Sequence, residues 1–176
     1  TLNNSFGSKL YVENSGFFLN NEMDDFSSKP GYPNFFGVLG SEANSIRPGK
    51  RMLSAMTPTI VLKNNKPILI LGSPGGPSII TSVFQTILNV IEYNMDVNEA
   101  VSAPRFHHQW YPDLIVMEKE VSSTDVDSIL KSKNYLIVKL PIKSDTLGVY
   151  KRADIGAVDA ILIDELGNVS GGADLR

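Results

Sequence analysis

The sequence predicts an α+β fold with layered sheets. Three observations carry this reading: two β-rich runs joined by a short polar turn, a glycine-rich turn leading from the second run into a long helical pattern, and mixed blocks of strand and helix thereafter. At 176 residues the chain has the length of one domain with a substantial core, and residues 1–176 are read as a single domain.

Residues 1–58 are loop-rich, with Gly, Pro, Asn and Ser throughout and only short apolar runs such as Gly16-Phe17-Phe18-Leu19. From Thr59 the pattern sharpens. Thr59-Ile60-Val61-Leu62 and Pro67-Ile68-Leu69-Ile70-Leu71 read as strands, and Lys63-Asn64-Asn65-Lys66 between them reads as a hairpin turn. After Gly72-Ser73-Pro74-Gly75-Gly76-Pro77-Ser78 comes a helix from Ile79 to Tyr93, with Ile80, Val83, Phe84, Ile87, Leu88 and Ile91 at helical spacing and Asn94 as its stop. Asp96, followed three residues later by Glu99, caps a short helix Val97–Ala103 that ends before Pro104. Leu114–Glu118 reads as a strand, Ser123–Lys133 as a helix, and Leu136–Leu140 and Ala157–Ile163 as strands, the last followed by the turn Asp164-Glu165-Leu166-Gly167-Asn168.

Composition narrows the classes of function. Hydrophobic residues make up 42% and charged residues 20%, ordinary for a globular protein. The net charge of -3, with Lys50-Arg51 and Lys151-Arg152 as isolated basic pairs, gives no footprint for nucleic acid. The absence of cysteine excludes disulfides, thiolate metal sites and a cysteine nucleophile. No apolar run reaches the ~18 residues of a membrane-spanning helix, and the start lacks a signal-peptide pattern. The chain opens on Thr1-Leu2-Asn3-Asn4 without an initiator Met, so it is expected to be a processed or excised piece of something longer.

Several segments carry chemistry. Asn20-Asn21-Glu22-Met23-Asp24-Asp25-Phe26 concentrates carboxylates and amides. It reads either as a site for a cationic amine, with carboxylates supplying charge and amides completing its hydrogen bonds, or as a solvated acidic loop with Asx turns. Gly75-Gly76, between strand and helix, allows backbone N–H groups to converge without Cβ interference, next to the positive end of a helix. Such a turn binds phosphate or stabilises an oxyanion, or is only a tight turn. It is not a P-loop, since Gly-Lys-Ser/Thr is missing. Arg51-Met52-Leu53-Ser54-Ala55-Met56-Thr57-Pro58-Thr59 places small hydroxyl residues just ahead of a strand, where hydroxyls and N–H groups take a carboxylate or are ordinary loop groups. In Pro104-Arg105-Phe106-His107-His108-Gln109-Trp110 the adjacent histidines point in different directions and have no second His or Cys cluster with which to build a zinc site. They read as structural, and Arg105 as an ion-pair partner for a buried carboxylate.

The order of these segments is more specific than any one of them. Thr-Leu-Asn, then Leu-Asn-Asn-Glu-Met-Asp-Asp-Phe-Ser, then Lys-Arg-x-Leu-Ser-x-Met-x-Pro-Thr, then Gly-Ser-Pro-Gly-Gly, then Ala-Pro-Arg-Phe-His-His-Gln-Trp resembles the small subunit of gamma-glutamyltransferases, strongly over residues 1–112 and weakly over the last third. The resemblance implies the αββα four-layer sandwich of N-terminal-nucleophile hydrolases. It also implies a precursor that cuts itself to expose a nucleophilic Thr, and acyl transfer from glutathione or another gamma-glutamyl donor to water or to an amino-acid or peptide amine. No cofactor or metal is implied. By position, Asn3, Glu22 and Asp25 hold the donor's α-amino group, Ser54 its α-carboxylate, and Gly75 and Gly76 form the oxyanion hole. Pro30–Pro48 is the lid loop, with Phe36 at its gating aromatic.

The departures are as specific. Thr1 matches the last Thr of the family's second motif, where its hydroxyl orients the nucleophile. The nucleophile strand and the large subunit with its carboxylate-binding Arg are therefore expected outside these residues. The partners implied are the large subunit of the same precursor and, for the fragment alone, further copies of itself covering exposed sheet faces; the family suggests a periplasmic, secreted or cell-surface location. Ala55 stands where the family has a second serine, Pro77-Ser78 where it has Ser-Arg, and the tail Gly171-Gly172-Ala173-Asp174-Leu175-Arg176 loosely resembles its Ser-Asp-x-Arg ending. These leave two alternatives: a catalytically degenerate scaffold of the same fold, or a different amidase in which Thr1 is itself the processed nucleophile.

Overall fold

The hairpin turn forms as its residues demand. Asn64 and Asn65 both adopt left-handed backbone conformations (φ 52° and 61°), the requirement of a two-residue turn whose twist matches its strands, and Asn tolerates it better than most residues. The computed structural model describes residues 2–4, 6–140 and 155–175. It divides into two units, Thr1–Ala55 and Met56–Arg176.

In the second unit the strands β3 (Thr59–Lys63) and β4 (Lys66–Gly72) flank this turn, antiparallel and with an irregularity at Val61/Leu62. β8 (Asp159–Ile163) pairs antiparallel with β4, and β9 (Val169–Ala173) with β8, giving the sheet order β3-β4-β8-β9. Helices α1 (Ile79–Ile91) and α2 (Val97–Ser102) supply Ile79, Val83, Val97 and Val101 to a core shared with Leu69, Leu71, Val158 and Ala160. Asp96 caps α2 as expected, its side chain accepting from Asn98 and Glu99 N–H while Glu99 reaches back, and Asn94 leaves the helical path with φ 53°.

α1 differs from the pattern in one respect. Its buried face includes Ser82 and Thr86, while Ile80 and Phe84 are exposed. The two hydroxyls donate to carbonyls one turn back, Ser82 to Ser78 and Thr86 to Ser82, so their burial leaves no unmet polar group. On one face of the sheet Ile60, Leu62 and Ile161 are also exposed.

The other sheet has the order β5-β6-β7, from β5 (Phe106–His108), β6 (Ile115–Glu118) and β7 (Ile137–Leu140). β6 and β7 are parallel, and the crossover between them contains α3 (Thr124–Ser132), N-capped by Ser123. Alternation along β5 separates the histidines. His107 is buried, its Nδ1 2.8 Å from Thr81 Oγ1 and its Nε2 2.8 Å from Gln109 Oε1, whereas His108 pairs with Asp113. Burial holds the His107 imidazole below the ordinary histidine pKa; nearby His108 adds to this and Gln109 works against it.

In the first unit β1 (Tyr11–Val12) and β2 (Phe17–Phe18) form a minimal antiparallel pair. Phe18 packs its ring on Phe6 and Tyr11, with centroids 5.6 and 5.4 Å away. These short strands, and β5 and β9, are elements that the periodicity did not mark.

Arg105 meets the expected buried carboxylate. Its guanidinium lies 2.7 Å from Asp174, both side chains 2% exposed, and also donates to the carbonyls of Ile155 and Val101. Replacing Asp174 by Ala is expected to destabilise the fold by about 3–5 kcal/mol, the cost of removing one partner of a buried ion pair. Urea denaturation would measure it, and a loss below about 1 kcal/mol would show that Arg105 is satisfied without Asp174.

Candidate active site

The acidic segment folds as a 3₁₀ turn, Glu22–Asp25, entered through an Asx contact in which Asn20 Oδ1 accepts from Glu22 N–H. Three residues per turn place positions i and i+3 on one face, so Glu22 and Asp25 project together while Met23 is left exposed. Asn3 joins them: its Nδ2 donates to Glu22 Oε2 at 3.2 Å and to Asp25 Oδ1 at 3.1 Å. Two of the clustered carboxylates thus share one amide. Phe26 at the end of the turn is buried, whereas Phe17 and Phe18 are exposed.

Glu22 is only 8% exposed, and among the described residues nothing donates to its Oε1. Burial, reinforced by the neighbouring Asp25 carboxyl, raises its pKa above the ordinary glutamate value, and the backbone N–H of Asn3 works in the opposite direction. Two close carboxylates, one with an unused buried acceptor, suit a group that brings positive charge and several donors.

The segment 31–40 closes on itself. Gly31 N–H donates to the Gly40 carbonyl, and Asn34 Oδ1 accepts from the N–H groups of both Phe36 and Val38. Phe36 is half-buried and meets Phe35 edge to face at 5.2 Å; Phe35 is the more exposed ring. Ser54 and Ala55 follow in an exposed segment outside helix and strand, and Leu53 N–H, next to Ser54, donates to Asn44 Oδ1 at 3.0 Å.

In the second unit the glycine turn has a conformation that needs glycine. Gly75 has φ 145° and Gly76 φ 59°. A Cβ on Gly75 would stand 2.8 Å from Ser78 Oγ and 3.1 Å from Gly156 Cα. Ser78 Oγ donates to the Gly75 carbonyl at 2.9 Å. Because carbonyl and N–H point oppositely across a trans peptide, this bond turns the Gly76 N–H away from the first turn of the helix. Ser73 Oγ accepts from Ala157 N–H at 3.1 Å and donates to the Pro74 carbonyl, fixing the other side of the turn. Gly156 is left-handed too (φ 69°), and a Cβ there would strike Ser82 and Ser73.

The structure therefore brings Asn3, Glu22 and Asp25 together and shapes Gly75 and Gly76 as a rigid turn; Thr1 lies outside the described residues. Sequence reasoning missed Asn44 and Gly156, which carry no local signal, and saw Ser78 only as a departure from a motif.

Compared with known proteins, the whole chain superposes on the solved T380A mutant of gamma-glutamyltranspeptidase from Helicobacter pylori, with a TM-score of 0.85 and 49% identity, covering 90% of that chain. The fold is thus the αββα type of the N-terminal-nucleophile hydrolases. The gamma-glutamyltranspeptidase family profile matches residues 1–176. The glutathione hydrolase proenzyme of Escherichia coli K12 is 45% identical over 169 residues, 94% of this chain and 29% of that protein. That of Pseudomonas sp. strain A14 is 50% identical over 132 residues, 75% of this chain and 23% of that protein. This chain belongs to the gamma-glutamyltranspeptidase family, and it spans less than a third of the length of those two proenzymes.

The raised Glu22 pKa has a measurable consequence. Stability contributed by its neutral form is present at low pH and is lost as pH rises through the folded-state value. Glu22→Gln, which keeps the shape without the charge, is expected to match the wild type in melting temperature near pH 4 and to exceed it increasingly toward pH 7. A pH-independent difference would contradict the shift.

Proposed function

We propose that this chain is the C-terminal, donor-binding part of an enzyme that transfers or hydrolyses gamma-glutamyl groups of glutathione and related compounds. The rest of that enzyme comprises the nucleophile strand and the large subunit of the same precursor. The observation that carries the reading is the pairing of Glu22 and Asp25 through Asn3, with a buried Glu22 oxygen lacking a donor among the described residues. An α-ammonium group supplies the charge and donors that this pair lacks. Ser54 takes the α-carboxylate, with Ala55 offering no second hydroxyl, and Phe36 belongs to the lid over the glutamyl group.

The chemistry follows from the family reading. A threonine Oγ of the longer protein attacks the γ-carbonyl carbon, and that residue's own α-amine takes the hydroxyl proton. Gly75 and Gly76 N–H groups hold the oxyanion, charge that exists only in the tetrahedral species. Collapse breaks the carbon–nitrogen bond, and the leaving amine takes the proton from the ammonium. Water or an acceptor amine then attacks the threonine ester and restores the hydroxyl. Thr1 orients the nucleophile through its hydroxyl. The exposed Ile60, Leu62 and Ile161 on one sheet face support a partner subunit that covers them.

The test is release of anilide from a gamma-glutamyl anilide by the complete protein and by the 176-residue chain. The complete protein is expected to turn over and the chain alone to be inactive. No turnover by a correctly processed complete protein would favour the scaffold reading, and turnover by the chain that Thr1→Ala abolishes would make Thr1 the nucleophile. In the complete protein Asp25→Ala is expected to weaken donor binding by more than about 2 kcal/mol, the scale of a lost charge-assisted bond, measured as inhibition by a non-hydrolysed donor analogue.

A further inference from the structure

Asn44 occupies the end of a 3₁₀ turn, Glu42–Asn44, inside the lid segment. Its side-chain amide uses both of its ends. Nδ2 donates to the Asp25 carbonyl at 2.7 Å, and Oδ1 accepts from Leu53 N–H at 3.0 Å. The first partner is the backbone of a carboxylate in the amine cluster, 19 residues away; the second is the peptide next to Ser54, 9 residues away. One planar group of fixed length thus spans the two elements that the proposed function assigns to the two charged ends of an α-amino acid.

The loop does not need this side chain to close. Ser27 N–H donates to the Asn44 backbone carbonyl at 2.9 Å, and Ser27 and Ser45 form a parallel bridge. Lys50 Nζ donates to the carbonyls of Ala43 and Ser45. These anchors hold the turn through main chain and lysine alone. The amide is left with one distinct effect: it sets the distance between the Asp25 backbone and the Leu53-Ser54 backbone. Among side chains of this size only Asn carries a donor and an acceptor on two separate atoms.

We propose that Asn44 is a positioning residue that holds the ammonium-binding pair Glu22 and Asp25 at a fixed spacing from Ser54, and so makes the site selective for donors with a free α-amino acid head. The proposal rests on the function proposed above. It is specific because ammonium and carboxylate of such a head sit on one carbon, at a separation that the ligand cannot adjust. A site whose two halves drift apart engages either group but not both at once, so the benefit of having both on one ligand is what disappears.

The experiment compares three anilides in the complete protein: gamma-glutamyl, glutaryl (no ammonium) and 4-aminobutyryl (no carboxylate). Wild-type turnover of the gamma-glutamyl anilide tests the underlying reading by itself; its absence would end that reading. Given turnover, Asn44→Leu is expected to lower kcat/KM for the gamma-glutamyl anilide about tenfold or more, mainly through KM, as for the loss of two hydrogen bonds. The two truncated anilides are expected to fall by less than about threefold, since neither uses the spacing. Asn44→Ala, smaller and without either bond, repeats the comparison if the leucine variant does not accumulate, and the same pattern is expected. An equal loss on all three anilides in either variant would show a merely structural residue and overturn the proposal, as would no loss on the gamma-glutamyl anilide.

Discussion

A charged group buried in the second unit has to be answered, and much of that unit is arranged around the answer. Arg105 is 1% exposed. Its guanidinium is met by Asp174 beyond the end of β9, by the Val101 carbonyl at the end of α2 and by the Ile155 carbonyl ahead of β8. Its own N–H donates to Glu118 at the end of β6, and the other oxygen of Glu118 accepts from Ile155 N–H. The network therefore ties the beginning or end of strands from both sheets to one point. A half-satisfied network of this kind is worse than an apolar core, so these ends are fixed relative to one another.

The glycine turn inherits that order. Ile155, held by both Arg105 and Glu118, is followed by Gly156, whose Cα would lie 3.1 Å from a Cβ on Gly75. Backbone approaches this close tolerate only glycine. Ser73 then joins the turn to Ala157, and Ser78 holds the Gly75 carbonyl. The shape of the glycine turn thus traces to an ion network one residue away along the chain. In the first unit the problem has the opposite sign. Two carboxylates are held together by a turn of three-residue period and one bridging amide, and burial, with the Asp25 carboxyl alongside, raises the pKa of Glu22.

Much of this was legible because it is local. The Asn64-Asn65 turn, the Asp96–Glu99 capping box, the helix from Ile79 and the strands at Thr59 and Pro67 depend on residues within a few positions of one another. The carboxylate cluster was legible for the same reason, as a density of carboxylates and amides, although Asp24, next to Asp25 in sequence, is not part of the shared Asn3 contact. The short strands β1, β2, β5 and β9 were not legible. β9, Val169-Ser170-Gly171-Gly172-Ala173, is a strand because it pairs with β8, and Gly172 is glycine because a Cβ would meet the Val97 carbonyl 2.7 Å away on α2. Its own residues have little strand propensity.

What the sequence by itself determined is the class of fold, the family and the chemical kinds of group available: carboxylates, a hydroxyl, paired glycines, no thiol. Periodicity, caps and turn chemistry are short-range, and an ordered series of motifs is a property of the chain before it folds. What only the tertiary structure decided is which of those groups meet. Arg105 finds Asp174 across 69 positions and Gly156 packs on Gly75, while Asn44 bridges Asp25 to Leu53. None of these contacts leaves a trace in neighbouring residues, because a buried charge or a close backbone crossing is satisfied by whatever the fold brings alongside it.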